Sequence, residues 1–157
     1  MNEQLPDWMV AMQSFGFDSM VQVFIAALLG GLIGLEREWR GRDAGLRTNM
    51  LISMGACLFT AISINGFPLQ GSAAQDTARV AAQVVTGVGF LGAGAFIHTR
   101  GHTKGMTTAA TIWIVAAIGM AVGVEAYGLA VFASVITLVI LRFLHPVSKT
   151  IAKIDGD

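Results

Sequence analysis

Twelve positions hold most of the chemistry in this chain. Between residues 36 and 47 stand Glu36, Arg37, Glu38, Arg40, Arg42, Asp43 and Arg47, seven charges in a sequence that is 13% charged overall. Carboxylates this close can attract a hydrated cation, because magnesium keeps several of its waters and needs only one or two carboxylates from the protein. Glu36, Glu38 and Asp43 are therefore candidate metal contacts, with Asp76 a fourth farther along. The interleaved arginines would repel a cation unless they pair with those acids. His98 and His102 are spaced to meet on one helix face, but they lack a third ligand, and Arg100 and Lys104 are poor neighbours for a metal, so this stretch reads as a charged loop. The run GVGFLGAG, from Gly87 to Gly94, fits the spacing GxGxxG. No strand precedes it and no acidic residue follows about 20 positions on, so a dinucleotide site is not indicated. No nucleophile–base arrangement or phosphate loop is present, and the chain reads as a non-enzyme. Nothing points to nucleic acid.

Composition states what must position these groups. The chain has 157 residues and is 54% hydrophobic, with a mean hydropathy of +0.66. Soluble domains carry about 25% charged residues, so polar surface is too scarce here to coat a soluble particle. Five apolar stretches approach the roughly 17–25 residues that a bilayer-spanning helix requires. They run over Ser19–Leu35, Arg47–Asn65, Arg79–Ile97, Thr107–Val124 and Tyr127–Leu144. The expectation is an all-α polytopic membrane protein of five transmembrane helices. Residues 1–18 form an interfacial N-terminal segment with Asp18 as a candidate cap, 19–145 the transmembrane domain, and 146–157 a basic tail. No cleavable signal is expected, since Glu3 and Asp7 stand where positive charge would be needed. Glu125 and Ala126 must make a tight turn between the fourth and fifth spans, and Pro146 should end or kink the fifth. Cys57 reads as a small core residue within the second span.

Alternate connecting segments hold nine and one of the ten basic residues. The bias of Lys and Arg toward the cytoplasm then gives an external N-terminus and a cytoplasmic C-terminus, with the charged hairpin inside. Arg47 opens the second span, where a cation faces the positive end of a helix. An acidic partner is expected for it, from Glu36, Glu38 or Asp43.

Small residues mark where spans should pack, because lipid supplies no hydrophobic drive between helices and close backbone approach must replace it. Gly30 and Gly34 in the first span, and Gly119 and Gly123 in the fourth, have GxxxG spacing. Gly87, Gly89, Gly92 and Gly94 in the third would either pack tightly or interrupt the helix to expose backbone groups. Polar residues follow helical spacing as well: Asn49, Ser53 and Thr60 on the second span, Arg79, Gln83 and Thr86 on the third, Thr107 and Thr108 on the fourth. With Asp76 at its outer mouth, they suggest a polar seam among these three spans. Such a seam is either interhelical hydrogen bonding or a solute path. No span carries a carboxylate at its middle.

GLEREWRGRDAGLRTNMLISMGA (Gly34 to Ala56), DTARVAAQVVTGVGFLGAGAFI (Asp76 to Ile97) and GMTTAATIWIVAAIGMAVG (Gly105 to Gly123) resemble the MgtC/SapB family of bacterial inner-membrane proteins. The first motif, with its Gly-Leu-Glu-Arg-Glu run (Gly34 to Glu38) and Ala-Gly-Leu-Arg-Thr (Ala44 to Thr48, with Arg42 and Asp43 just before it), is the most specific, and the resemblance covers about residues 19–145. Thr77 departs from the family pattern, where Pro often follows the acid opening the third span. Many members also carry an ACT-like C-terminal domain, and this chain stops at Asp157. The resemblance implies a multi-pass protein of the bacterial inner membrane, linked to low-magnesium adaptation and, in some pathogens, to survival in phagocytes. It also implies two mechanisms. One is binding and regulation of other membrane proteins, the ATP synthase among them, and the missing mid-membrane carboxylate favours it. The other is magnesium or small-solute transport along the seam, with Mg2+ as the ligand. A homo-oligomer, first of all a dimer, is expected from the glycine-rich faces.

Overall fold

In the computed structural model, residues 16–66, 78–97 and 105–154 are described, except for the side chains of 78, 96–97 and 144–154. They form five helices: α1 Phe17–Trp39, α2 Leu46–Asn65, α3 Ala78–Ile97, α4 Met106–Gly123 and α5 Tyr127–Ile154. The described backbone contains no strand. α1, α2 and α4 are each long and apolar enough to cross a membrane, and the apolar part of α5 runs over Tyr127–Phe143. The chain is thus an all-helical polytopic membrane protein. Of the expected interfacial segment, 1–18, residues 1–15 lie outside the described residues, and Phe17 and Asp18 already belong to α1.

Local sequence sets the helix ends. Gly16 caps α1, and Asp18 lies in its first turn rather than at the cap. A carboxylate there still suits the positive end of the helix. α1 stops where Gly41 takes a φ of +63°. The Arg42 amide then reaches back to the Arg37 carbonyl at 3.0 Å and the Gly41 amide to that of Glu38 at 2.9 Å. This is a Schellman ending, which needs a left-handed residue and favours glycine for it. α3 is continuous across Gly87–Gly94, so the glycines do not interrupt it. α5 continues through Pro146 to Ile154, so of the two expectations for the proline, an end or a kink, it does not end the helix.

α4 is the hub and packs against each of the other four helices. α1 lies on α2, α4 and α5, whereas α3 packs only on α2 and α4 among its principal neighbours. The main core joins Ala26 and Ile33 of α1, Cys57 of α2, Val115, Ile118 and Val122 of α4, and Ala130 and Leu141 of α5. Outward faces are apolar. Phe24, Leu28 and Leu32 of α1 and Val131, Phe132 and Val135 of α5 are exposed, as a hydrocarbon solvent permits and water would not. α3 joins the bundle through Val88, buried with Ile112 and Ala116 of α4. An open groove of about 570 Å³ separates it from α2, lined by Leu51, Gly55, Phe59, Val84 and Leu91 among others, with Gln83 its polar contributor.

Candidate functional site

The charged stretch folds into the α1–α2 hairpin. Glu36 is its centre. Arg37 Nε and Nη2 both lie 2.6 Å from Glu36 Oε2, and Arg40 Nε lies 2.6 Å from Oε1. The Arg37 side chain is only 3% exposed and that of Glu36 11%. Glu38 turns to the start of the next helix, where its Oε2 accepts from the Leu46 amide at 2.7 Å. A carboxylate from α1 therefore supplies the negative charge that the N-terminus of α2 lacks in its own sequence. Arg42, Asp43, Arg47 and Thr48 are exposed.

This arrangement corrects the expected partner of Arg47. Glu36 is taken by Arg37 and Arg40, Glu38 by the backbone, and Arg47 makes no ion pair among the described residues. α2 begins at Leu46, so Arg47 sits on the outer side of its first turn, where water can solvate it. Of the acids nominated as metal contacts, Glu36 and Glu38 are thus occupied, and Asp43 is exposed. No cluster of three His, Cys, Asp or Glu side chains able to hold a metal occurs among the described residues. Asp76, His98, Arg100, His102 and Lys104 lie outside them.

The polar residues of α2 do share one face, and that face is closed. Asn49, Ser53, Ala56, Thr60 and Ser63 are all buried. The α1 and α4 glycines clamp it from two sides. A Cβ on Gly30 would come 2.6 Å from the Asn49 carbonyl oxygen and from Ser53 Cβ, and one on Gly34 would meet the Leu46 backbone at 2.8 Å. A Cβ on Gly119 would strike the Ser53 carbonyl, and one on Gly123 would lie 2.8 Å from the Cys57 oxygen and Thr60 Cβ. Only a glycine backbone allows such approach. Inside the clamp, Asn49 Nδ2 donates to the Ala44 and Gly45 carbonyls at 2.8 Å each, tying the hairpin to α2. Thr60 bonds its own helix at the Ala56 carbonyl, 2.8 Å away. Asn49 Oδ1 and Ser53 Oγ have no partner among the described residues.

The α3 members of the expected seam lie elsewhere. Arg79, Gln83 and Thr86 are exposed, and the Thr86 hydroxyl donates at 3.3 Å to the Ala82 carbonyl of its own helix. Thr107 is exposed and Thr108 buried on α4. The seam thus closes between α1, α2 and α4 instead of opening between α2, α3 and α4. The glycine sets divide the same way. Gly30, Gly34, Gly119 and Gly123 are in tight contact, Gly92 approaches Ala109 at an ordinary 3.7 Å, and Gly87, Gly89 and Gly94 meet nothing within 4 Å.

Three groups were missed in the sequence. Gln22 is buried on α1, and its Nε2 donates to Glu125 Oε1 in the α4–α5 turn at 3.1 Å. Ser134 and Thr137 are buried on α5, each bonded to the carbonyl four residues before it. Arg40 Nη2 donates at 3.2 Å to the Arg142 carbonyl. The four-then-three spacing of Ala130, Ser134, Thr137 and Leu141 was a readable signal for α5. The two tertiary bonds had none.

A five-helix membrane bundle with an ion-paired hairpin at one end and a glycine-clamped polar face behind it defines the class of this protein. The chain belongs to the MgtC family, whose model matches residues 23–150. It is 46% identical over 129 residues to "Putative magnesium transporter YhiD" of Escherichia coli K12, covering 80% of this chain and 60% of that protein. It is 42% identical over 122 residues to "Protein MgtC" of Salmonella typhimurium, covering 78% and 50%. It is 40% identical over 134 residues to an uncharacterized protein of Synechocystis, covering 85% and 55%. The chain therefore spans about 50–60% of the length of these relatives. No solved structure matches it.

Proposed function

We propose that this chain is a regulatory membrane domain acting in adaptation to low magnesium in the bacterial inner membrane. It binds other membrane proteins, the ATP synthase being one class of partner, and does not itself conduct magnesium. The charged hairpin faces the cytoplasm in this reading. The observation that carries it is the closure of the α2 polar face. Its buried side chains are locked between glycine backbones, with Asn49 and Ser53 wholly sealed from solvent rather than facing an open polar lining. A cation crossing the bilayer would need such a lining, because each unsatisfied group in hydrocarbon costs several kcal/mol. The open glycines of α3 supply the matching surface for a helix of a partner or of a second copy.

The test is flux into proteoliposomes holding a magnesium-sensitive dye. The expected result is uptake no faster than empty vesicles under an inward magnesium gradient. Rapid uptake that falls on Gln83→Leu or Asn49→Leu substitution would replace this reading with transport, the function that the name of the Escherichia coli relative carries.

A further inference from the structure

α1 and α5 meet the membrane surface at one place. The apolar part of α5 ends at Phe143, which is 63% exposed, and the outward side of α1 ends at Trp39, 86% exposed. Exposed aromatic residues at the end of a span mark the membrane–water interface. Beside them in sequence stand Arg142 and Arg40. Arg40 Nη2 donates to the Arg142 main-chain carbonyl at 3.2 Å, which brings the two arginines together from positions 102 apart. Charge at this junction is unbalanced. Glu36 is the one carboxylate paired with Arg40, at 2.6 Å, and it is shared with the buried Arg37. Arg142 is exposed and makes no ion pair among the described residues. Three guanidinium groups thus face one carboxylate, and Arg40 Nη1 is used by neither of its bonds. Below Arg142 the surface is apolar: Val135 and Val131, two and three turns earlier on the same side of α5, are exposed.

We infer that the junction of α1 and α5 binds one anionic phospholipid, its phosphate between Arg40 and Arg142 and its acyl chains running down α5 over Val135 and Val131. The chemistry is complementary at both ends. Guanidinium groups hold phosphate oxygens by short charge-assisted hydrogen bonds, and basic sites between membrane helices at the bilayer surface take acidic headgroups. Depth chooses the lipid over a soluble anion, because the two arginines lie where the hydrocarbon stops and an apolar surface continues beneath them. A phosphate here balances the charge that Glu36 leaves uncompensated. It also fastens the first helix to the last across the bond that Arg40 already makes. The site does not rest on the regulatory reading, since a conducting and a non-conducting protein could both carry it.

The experiment uses the full chain in phosphatidylcholine membranes containing a trace of phosphatidylglycerol spin-labelled on an acyl chain. Electron paramagnetic resonance reads the fraction of label held by the protein, with spin-labelled phosphatidylcholine as the reference. Selective retention of phosphatidylglycerol is expected. Arg142→Gln should lower that preference about fivefold, the attraction of one basic side chain to an anionic surface. The variant keeps its fold, because Arg40 binds the main chain at this position, so it should melt as wild type does in phosphatidylcholine alone and lose only the stabilisation that phosphatidylglycerol gives. Arg47→Gln removes the same charge from the same end of the bundle and should leave the preference nearly unchanged. Retention should persist in about 1 M NaCl, where the Debye length is about 3 Å and diffuse attraction is screened. Equal losses from Arg142→Gln and Arg47→Gln would show diffuse attraction and overturn the site. Equal retention of the two lipids by wild type overturns it as well, and displacement of the lipid by inorganic phosphate would reassign the arginines to a soluble anion. A magnesium flux of either sign leaves these outcomes unaffected, so the two readings fail separately.

Discussion

Arg40 on α1 hydrogen-bonds the main-chain carbonyl of Arg142 on α5, at 3.2 Å. The reason lies four residues beyond Arg142. In an α-helix that carbonyl accepts from the amide of residue 146, and residue 146 is proline, which has no amide hydrogen. The guanidinium of Arg40 fills the missing donor. This is how α5 runs through Pro146 to Ile154, and how the hairpin is fastened to the last helix.

A double-mutant cycle can isolate that bond. Arg40→Ala removes it together with the ion pair to Glu36, and should destabilise the protein by about 1–2 kcal/mol, in line with hydrogen bonds to charged groups. Pro146→Ala returns an amide to the helix. In that background Arg40→Ala should lose part of its effect, leaving a coupling energy of roughly 0.5 kcal/mol or more. Arg47→Ala serves as the control and should change stability by less than about 0.5 kcal/mol, as exposed substitutions generally do. Chemical unfolding in detergent micelles measures all four. Simple additivity of the two substitutions would mean that the Arg40–Arg142 bond contributes nothing.

Glu36 is the group on which the hairpin depends most. It holds Arg37, whose side chain is almost wholly buried. Removing one partner of a buried pair leaves an uncompensated charge, which typically costs about 3–5 kcal/mol. Glu36→Gln should therefore reduce the folded yield and lower the melting temperature far more than Asp43→Asn. The double change Glu36→Gln with Arg37→Met should recover much of the loss, because no buried cation then remains. Failure of the double variant to melt higher than Glu36→Gln alone would show that Arg37 is not stranded by the single change.

The fold was legible in the sequence because its strongest signals are local. Each span is a run of apolar residues bounded by charges or glycine, and the five runs coincide with the five helices to within a few residues at each end, except that α5 runs past Leu144 to Ile154. The α2 polar face was legible too, since Asn49, Ser53, Thr60 and Ser63 recur at helical spacing. What covers that face was not. Periodicity places a residue on a side of its own helix and is silent about the neighbour, so α3 was expected beside α4 where the glycines of α1 in fact lie. The site residues misread are of the same kind. Arg47 lost its expected partner because Glu36 meets Arg37 and Arg40, and the position of Glu38 over Leu46 depends on how the chain turns at Gly41. Gln22 and Glu125 stand 103 positions apart, and neither has a local pattern that names the other.

The glycines give a direct test of the packing. Gly119→Ala would drive a methyl group into the Ser53 carbonyl, backbone against backbone, with no flexible side chain to yield. Overpacking of this sort costs about 1–3 kcal/mol. Gly87→Ala meets open space and replaces glycine inside a helix, which should stabilise the isolated chain by a few tenths to about 1 kcal/mol. Thermal melts of the two proteins in detergent should thus move in opposite directions. If the open face of α3 docks a partner helix in the membrane, Gly87→Ala should still impair the protein in a low-magnesium growth assay. A stable variant with impaired function locates the docking surface on α3, and normal growth removes it from that face.

Within the clamp, Asn49 and Ser53 are equally buried and should respond in opposite ways to truncation. Asn49 donates twice to the hairpin, so Asn49→Ala leaves the Ala44 and Gly45 carbonyls without those bonds and opens a small void. The Gly45 carbonyl keeps the Asn49 amide, so a loss of about 2–3 kcal/mol is expected from the Ala44 acceptor and lost contacts. Ser53 Oγ has no partner to lose. Ser53→Ala deletes a buried hydroxyl that is bonded to nothing, and the remaining methyl fits the same space beside Gly30 and Gly119. The variant should be as stable as wild type or slightly more so, because burying an unpaired hydroxyl is itself unfavourable by about 1–3 kcal/mol. Denaturant midpoints for the two variants decide the point. A marked loss for Ser53→Ala would mean that its hydroxyl is bonded in the membrane, by ordered water or by an ion held beside Asn49 Oδ1, and the closed face would then have to be redrawn as a wet one.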